Sequence, residues 1–501
     1  MCLGVTSQLT LCANSPIALL NSQPLIGDSS PPPSPPSWWR ALLRRLFGGA
    51  GASAAGAEEA RFAPRAGEVA VDLLPVEASA LVLNLPAICT ATFYEGDAAA
   101  AEAHLRARVE EVLRLNPWLL GRLALARGAS GEPARLRLLH AAAAPPGAAA
   151  RVFGVADAPG LGLGEDAADY AATARRLLHL RVPQGVACLA AAGARDANAE
   201  GSAEAPPPPP LLRVTLVRAS ARRFAVFFSF SHVAGDGATF YELHKQLGLD
   251  EAPRALRCAR VDAARYETAA DALMGGKRGA VNEAVQWILT PGSIFRILVD
   301  MLFGAPPRAA LQRVPAEWVA GEKRRFSSPS PSPAAAAAPE TPFVSTNDVV
   351  MAALARLSGD NLLFMAANLR GRVAGVDREL AGNYETMVPL LPEDVASAAC
   401  VRRAVAGGRL LRASPAAPLP GFFAALLRTR ACVVTNWSSF YRDVRLPGAQ
   451  LLRHLPVAEL HSANMESAVV FAPRAGETEV VWLTRNARVT EAAMARAFAP
   501  A

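Results

Sequence analysis

The strongest constraint on the fold is the stretch 224–248, FAVFFSFSHVAGDGATFYELHKQLG, because its hydrophobic period changes halfway along. Residues 224–230 form an apolar run rich in phenylalanine and valine, which predicts a buried β-strand. Over residues 240–247 apolar side chains recur at helical spacing, which predicts a helix. His232 therefore lies in a glycine-rich turn between a strand and a helix, where open sheets place functional groups.

His232 and Asp236 form a His-x-x-x-Asp pattern within this turn. Histidine is the natural general base near neutral pH, and an aspartate four residues on can orient it, as in a catalytic triad. The alternative is that Asp236 turns away and fixes the loop through a salt bridge to an arginine. Gly235 and Gly237 allow backbone conformations that other residues resist, and they let a ligand approach closely. The pattern is weak alone in a chain with seven histidines, but the strand before it and the helix after it strengthen it.

Composition excludes several classes of function. With 51% hydrophobic and 19% charged residues the chain is globular, and its net charge of +7 comes from scattered arginines. No zinc-finger, basic-region or aromatic nucleic-acid pattern is present, so we expect no nucleic-acid partner. Seven cysteines without a Cys-x-x-Cys spacing predict a reducing compartment and no structural zinc. We also expect no metal at His232 and Asp236, because no third ligand lies at useful spacing.

The first residues carry two distinct patterns. Residues 1–37 contain no lysine or arginine, so we expect no secretory signal; they are a candidate organelle-targeting segment in a protein that we otherwise expect in the cytoplasm. Residues 38–47, WWRALLRRLF, set tryptophan, leucine and phenylalanine against three arginines. This pattern is typical of a basic amphipathic segment and makes it a candidate for peripheral membrane contact. The alternatives are a helix docked on the fold or an unstructured tail.

The length of 501 residues predicts two lobes rather than one domain. We expect an N-terminal extension over 1–65 and an N-terminal lobe over 66–304. Residues 305–341, which include SSPSPSPAAAAAPET, are predicted to be a Pro/Ala-rich crossover linker, followed by a C-terminal lobe over 342–501. At the start of the first lobe, the apolar runs VAVDLL and ALVLNLP both predict strands.

Residues 284–304, AVQWILTPGSIFRILVDMLFG, are apolar over a length of about 20 residues that suits a membrane span. A Pro-Gly pair and two charged residues, Arg296 and Asp300, interrupt the run. These interruptions favour a buried or interfacial helix pair over a spanning helix.

Six segments in the order of the family resemble the BAHD-type acyltransferases, which share a superfamily with chloramphenicol acetyltransferase and the peptide-synthetase condensation domains. The segments are LRARVEEVLRLNPWLLGRL, SHVAGDG, VSTNDVVMAALARL, NLRGR with GNYETMVPLL, VVTNWSSFYRDVRLPG and the closing hairpin AVVFAP to TEVVWLT. Together they extend over roughly residues 66–499. Two departures stand out. The Asp-Phe-Gly-Trp-Gly motif of the family is reduced to DVRLPG, and Ser231 replaces the second histidine typical of condensation domains.

The resemblance implies an α/β fold of two lobes, with mixed sheets flanked by helices and an interlobe tunnel centred on His232. It implies that His232 takes a proton from an acceptor hydroxyl or amine, which then attacks an acyl-CoA thioester directly, without an acyl-enzyme. A single base with good positioning suffices for an activated thioester. Acyl-CoA would be a co-substrate, and no cofactor or metal is implied.

The resemblance also implies roles for Asp236, its arginine partner and Gly237. Asp236 turns away from the histidine and pairs with an arginine, for which Arg370 is our choice; the alternative is that Arg370 is an ordinary surface charge. Gly237 is structural. The oxyanion needs hydrogen-bond donors, and Thr435 and Asn436 are candidates for this role in the CoA channel. Their alternative role is to satisfy a sheet edge.

The leading hypothesis is an acyl-CoA-dependent acyltransferase that acts on a small, hydrophobic alcohol or amine, as a monomer. One alternative is a non-catalytic, acyltransferase-like scaffold, which the reduced second motif favours. Another is a condensation-type enzyme that uses a carrier-protein thioester, which the missing second histidine disfavours.

Overall fold

The computed structural model describes residue 64 and residues 67–126, 135–190, 208–275, 283–327, 343–414, 417–459 and 465–499. The predicted N-terminal segments 1–37 and 38–47 lie outside the described residues.

Strands and helices alternate along most of the described chain. The strands are β1 Glu68–Asp72, β2 Ile88–Gly96, β3 Arg122–Ala126, β4 Arg135–Ala141, β5 Phe153–Asp157, β6 Leu212–Arg218, β7 Arg223–Phe230, β8 Arg308–Arg313, β9 Leu362–Asn368, β10 Glu385–Leu390, β11 Ala431–Asn436, β12 Ala449–Pro456, β13 Glu466–Phe471 and β14 Glu479–Thr484. The helices are α1 Ala80–Asn84, α2 Ala98–Leu115, α3 Ala149–Val152, α4 Ala167–Leu177, α5 Gly237–His244, α6 Ala263–Leu273, α7 Glu283–Ile288, α8 Pro291–Phe303, α9 Ala316–Ser327, α10 Thr346–Ser358, α11 Ala398–Val405, α12 Phe422–Leu427 and α13 Glu491–Ala497.

Two large mixed sheets organise the described chain. The first has five strands in the order β12-β2-β7-β6-β5, and the second has six in the order β10-β9-β11-β13-β14-β8. A third, three-stranded sheet has the order β1-β4-β3. In the first sheet β6 and β7 pair antiparallel, with Leu212 opposite Phe230, as the hairpin pattern predicts. β7 lies between β2 and β6 and is buried along almost its whole length, which explains why its sequence is apolar without alternation.

The two large sheets exchange chain segments. β12 comes from the C-terminal half of the sequence, yet it pairs with β2 in the first sheet. β8 pairs antiparallel with β14 in the second sheet, and α9 follows it. The predicted linker over 305–341 therefore needs a correction, because its first half forms a strand and a helix. Ala310 and Leu311 are buried on β8, so sheet pairing and core packing outweigh a composition that predicts a linker.

The two apolar runs at the start of the first lobe fold differently. VAVDLL contains most of β1, as predicted, whereas ALVLNLP contains α1 and was wrongly predicted to be a strand. The side chain of Ser79 accepts a hydrogen bond from the backbone N–H of Val82 and caps this short helix. Val82 and Leu83 on this helix are buried. A short apolar run is therefore compatible with a buried helix as well as with a buried strand.

Residues 284–304 form the helices α7 and α8, which meet at Thr290 and Pro291. The interrupted run is therefore a helix pair, as predicted. In the part of the chain that the structure describes, no helix combines the length and apolar character that crossing a bilayer requires.

Candidate active site

The site lies where the two large sheets meet. The turn between β7 and α5 carries His232 and Asp236, whereas Arg370, Asn383 and Glu385 follow or begin strands of the second sheet. Burial lowers the pKa of His232. Hydrogen bonds to its own backbone and to Asn383, together with the negative charge of Asp236, oppose that shift. With its side chain 18% exposed, His232 is a neutral imidazole that a small molecule can still reach.

Asn383 fixes the tautomer of His232. The Nδ2 group of Asn383 donates to the backbone carbonyl of His232 at 2.8 Å and to Glu77 Oε1 at 3.2 Å. The other amide atom, Oδ1, lies 3.2 Å from His232 Nδ1 and can only accept. Nδ1 therefore carries the proton, and Nε2 keeps its lone pair. This assignment follows from the hydrogen-bond network, and it is the state that a general base requires.

A buried ion pair holds Asn383 in place. The side chains of Glu77 and Arg260 are 0% and 3% exposed, and Arg260 Nε lies 2.9 Å from Glu77 Oε2. Glu77 Oε1 accepts the backbone N–H of Asn383 at 2.8 Å. Arg260 donates through Nη1 to the carbonyl of Ala381 at 2.7 Å and through Nη2 to that of Ala234 at 3.1 Å. The pair thus joins the histidine turn to the loop that precedes β10.

Asp236 points away from the imidazole. Its Oδ2 atom accepts from Arg370 Nη1 at 2.6 Å and from the backbone N–H of Tyr384 at 3.0 Å, and its Oδ1 atom caps α5 by accepting from the N–H of Thr239 at 2.9 Å. Arg370 Nη2 donates to the carbonyl of Gly382 at 3.0 Å. The ion pair expected between Asp236 and Arg370 is therefore present and almost fully buried. In this geometry Asp236 fixes the turn and makes no hydrogen bond to the described imidazole.

Glu385 is a second titratable group at the open side of His232. Its Oε1 atom lies 4.0 Å from His232 Nε2, and its side chain is 33% exposed. Burial and, to a smaller extent, the Asp236 carboxylate raise the pKa of Glu385 from 4.5 to about 8, and the Arg370 guanidinium opposes this shift. Glu385 is therefore mostly protonated at neutral pH and presents a hydrogen-bond donor beside the lone pair of Nε2.

Thr435, the last residue but one of β11, has a hydroxyl that is available as a donor. Its Oγ1 atom accepts a hydrogen bond from Trp437 Nε1 at 3.0 Å, so its own hydrogen is left to donate. A Cβ added to Gly237 would lie 3.6 Å from Trp437 Nε1, an ordinary contact. Gly237 thus starts α5 directly beside the indole that orients Thr435.

Both the nitrogen and the oxygen of the Asn436 side-chain amide already make hydrogen bonds within the protein. Nδ2 donates to Asn347 Oδ1 at 2.9 Å, and Oδ1 accepts from the backbone N–H and the hydroxyl of Ser438 at 2.9 and 2.6 Å. These contacts favour the structural alternative for Asn436. As to metals, the described residues include no group of three or more histidine, cysteine, aspartate or glutamate side chains arranged to hold an ion.

Sequence reasoning did not identify Glu77, Arg260, Asn383 or Glu385. Asn383 and Glu385 do lie in the segment GNYETMVPLL, which resembles the family's Gly-Asn segment. That resemblance could have identified Asn383 as a site residue. The sequence around Glu77 and Arg260 offers no comparable pattern.

Comparison with protein-family models gives no match, and comparison with curated proteins gives none either. Solved structures do match. TRI101 of F. sporotrichioides, in a crystal structure with coenzyme A and T-2, has a TM-score of 0.51 at 13% identity, over 86% of this chain and 97% of that one. The first condensation domain of the calcium-dependent antibiotic synthetase, with a substrate analogue, has a TM-score of 0.50 at 13% identity, over 86% and 94%.

At this identity the likeness concerns the fold. The alignments extend over most of each chain, and this chain has the two mixed sheets with flanking helices described above. The predicted fold class is confirmed: the protein has the two-lobed, chloramphenicol acetyltransferase-like α/β fold.

Proposed function

We propose that this protein is an acyl-CoA-dependent acyltransferase, which moves an acyl group from a CoA thioester to a hydroxyl or amine of a small acceptor. The observation that carries the proposal is the state of His232. Its Nδ1 proton is held by Asn383, while Nε2 keeps a lone pair on the open side of a mostly buried ring. A base of this kind can accept a proton from an acceptor placed within hydrogen-bond distance.

The proposed reaction has two proton transfers. His232 Nε2 takes the proton from the acceptor O–H or N–H as the acceptor atom forms a bond to the thioester carbonyl carbon. The carbonyl becomes a tetrahedral oxyanion, which collapses as the C–S bond breaks. The imidazolium then returns its proton to the sulfur, so that the products are the acylated acceptor and free CoA thiol.

Direct transfer is favoured over an acyl-enzyme because the described cysteines that lie buried are poor nucleophiles. Burial raises the pKa of Cys89 and that of Cys188 to about 12, and it also raises the pKa of Cys432. These groups are therefore thiols rather than thiolates at neutral pH. His232 remains the group with an accessible lone pair.

Two donors are candidates for the oxyanion. The Thr435 hydroxyl has its hydrogen free of the bond from Trp437, and the protonated Glu385 lies beside Nε2. Donors aimed at the developing charge stabilise the transition state strongly in a site that excludes water. The interlobe tunnel and a hydrophobic acceptor stay predictions.

The comparisons support this choice without deciding the donor. TRI101, which shares the fold, was crystallised with coenzyme A. A carrier-protein thioester is the competing donor, because a condensation domain shares the fold equally well. Ser231 stands where condensation domains usually carry a second histidine, and its buried hydroxyl has no hydrogen-bond partner in the described structure.

The test is release of free thiol from a panel of acyl-CoAs with a mixed pool of alcohols and amines. Wild type should release thiol only when an acceptor is present, and His232→Ala should not. His179→Ala is the matched control, because His179 is exposed and should have no effect. Acyl-pantetheine attached to a carrier protein is run in parallel. Turnover with the carrier-bound thioester but not with acyl-CoA would identify the carrier protein as the donor. If the folded protein turned over neither donor, the non-catalytic scaffold would be favoured.

A further inference from the structure

Exposed apolar side chains concentrate on one pair of helices. Ten large apolar side chains are exposed in the described part of the chain, and six of them lie on α8 and α12. They are Phe295, Leu302, Phe303, Phe422, Phe423 and Leu427, with exposures between 45% and 83%. The other four are scattered on separate elements. A contiguous apolar surface of this kind is typical of an interaction site.

The two helices pack closely against each other. A Cβ added to Gly292 on α8 would lie 2.8 Å from the carbonyl oxygen of Phe422, so a glycine is needed for α12 to approach this closely. Arg296 Nη1 donates to the carbonyl of Leu426 at 3.3 Å. Trp287, just before α8, donates from Nε1 to the carbonyl of Pro420 at 2.8 Å. The apolar surface is therefore anchored to the fold on one side and open on the other.

Arginines lie next to this surface and in a pocket beside α8. Arg428 directly follows Leu427 and is exposed. A pocket of about 420 Å³ beneath α8 is lined by Arg296, Arg430 and Arg485, together with Arg488. The acidic residues of the same pocket, Asp300 and Glu466, offset part of this charge and leave a positive excess. Asp300 is paired with Arg296, and burial raises the pKa of Glu466 to about 7.

We propose that α8 and α12 form a docking surface for an anionic phospholipid bilayer. Apolar side chains flanked by arginines match a membrane interface, where acyl chains lie next to negatively charged headgroups. α8 has 13 residues, a length of about 20 Å that suits lying in the interface rather than crossing it. The basic amphipathic segment 38–47 of the same chain would add a second contact, and two weak contacts bind more tightly than one.

The test is co-sedimentation of the full chain with phosphatidylcholine vesicles that contain or lack phosphatidylglycerol. Wild type should bind the anionic vesicles preferentially and less as salt rises. Phe303→Ser and Phe423→Ser should each weaken binding about tenfold. Arg428→Glu with Arg488→Glu should remove the preference for anionic vesicles. Leu249→Ser is the control, since Leu249 is 49% exposed in the loop after α5, and this variant should bind like wild type.

Three outcomes would overturn the proposal. Wild type could fail to bind anionic vesicles. The two serine variants could bind like wild type while Trp38→Ser with Trp39→Ser abolishes binding, which would assign the contact to 38–47 alone. Sedimentation velocity could show a wild-type dimer that the serine variants convert to a monomer, which would make the surface a contact between copies. Thermal melts of every variant confirm that the fold is retained.

Discussion

Buried histidines lie near both ends of α5, and they differ in how accessible their ring nitrogens are. His232 precedes the helix, and His244 ends it beside His454. The pKa of all three is lowered by burial, to about 3 for His244. His454 bonds to the Thr92 hydroxyl through Nδ1 at 2.9 Å and to Tyr241 through Nε2 at 3.0 Å, so both of its nitrogens are occupied inside the core.

The difference shows that burial and a lowered pKa do not by themselves make a histidine functional. His232 has one nitrogen fixed by Asn383 and the other on a side chain that is 18% exposed. His244 and His454 are 1% and 0% exposed. The accessible lone pair, rather than the pKa, separates a candidate base from a polar core residue.

The largest expected effect is on His232. His232→Ala should lower kcat for thiol release by roughly 10² to 10⁴, since a positioned general base contributes that much. Stability should change little, because the ring is at the edge of the core. Steady-state kinetics and a urea melt on the same preparation measure both. A variant that keeps the wild-type rate would remove His232 from the mechanism.

For the core histidines His244 and His454 we expect the opposite result, a loss of stability with little change in kcat. His454→Ala should lower the free energy of unfolding by about 3 kcal/mol, because it opens a cavity and removes the hydrogen bonds that Thr92 and Tyr241 make to the imidazole. The kcat of the folded fraction should stay within about threefold of wild type. Denaturant midpoints and active-fraction kinetics provide the measurement. A stable His454→Ala protein with greatly reduced kcat would contradict the distinction.

The buried His244 also makes the stability of the protein depend on pH. Since the folded pKa of His244 is lowered from 6.5 to about 3, its contribution to stability is present above pH 6.5 and is lost as the pH falls toward 3. Acid should therefore destabilise the wild-type core below pH 6.5.

Local patterns predicted part of this site. The order of β7, turn and α5 follows from a change of hydrophobic period within 224–248, so no long-range contact was needed to find it. The pair between Asp236 and Arg370 joins residues 134 positions apart, and only a family resemblance suggested it. Glu77 contacts Arg260 across 183 positions and Asn383 across 306. Single polar residues that meet over such distances leave no periodic signal in the sequence.

The misassigned elements have a related cause. α1 and β8 are short, and propensity over five or six residues is weak evidence against burial in a particular place. Ser79 caps α1, and pairing with β14 makes β8 a strand. Both causes depend on the folded context.

A smaller effect tests whether Asn383 sets the tautomer of His232. Asn383→Leu should lower kcat by about tenfold, because the Nδ1 proton loses its acceptor. It should also shift the acidic limb of the kcat/KM profile to lower pH, since the hydrogen bond that His232 Nδ1 donates to Asn383 raises the pKa of His232. Asn361→Ala is the control, as the Asn361 amide also makes two backbone hydrogen bonds, donating to the carbonyl of Arg428 and accepting from the N–H of Arg430. A reduced rate without a shifted profile would make Asn383 merely structural.

The smallest effect concerns Glu385, whose proton the folded state holds more tightly than the unfolded state. With a pKa raised from 4.5 to about 8, its contribution to stability is present below pH 4.5 and is lost as the pH rises through 8. Glu385→Gln removes the ionisation, so the variant should become more stable than wild type by about 1 kcal/mol at pH 9, the partial exposure keeping the value small. Paired urea melts at pH 5 and pH 9 measure this difference. Glutamine also keeps a donor beside His232, so kcat at pH 7 should fall less than in Glu385→Ala; equal losses would mean that the donor plays no part in the reaction.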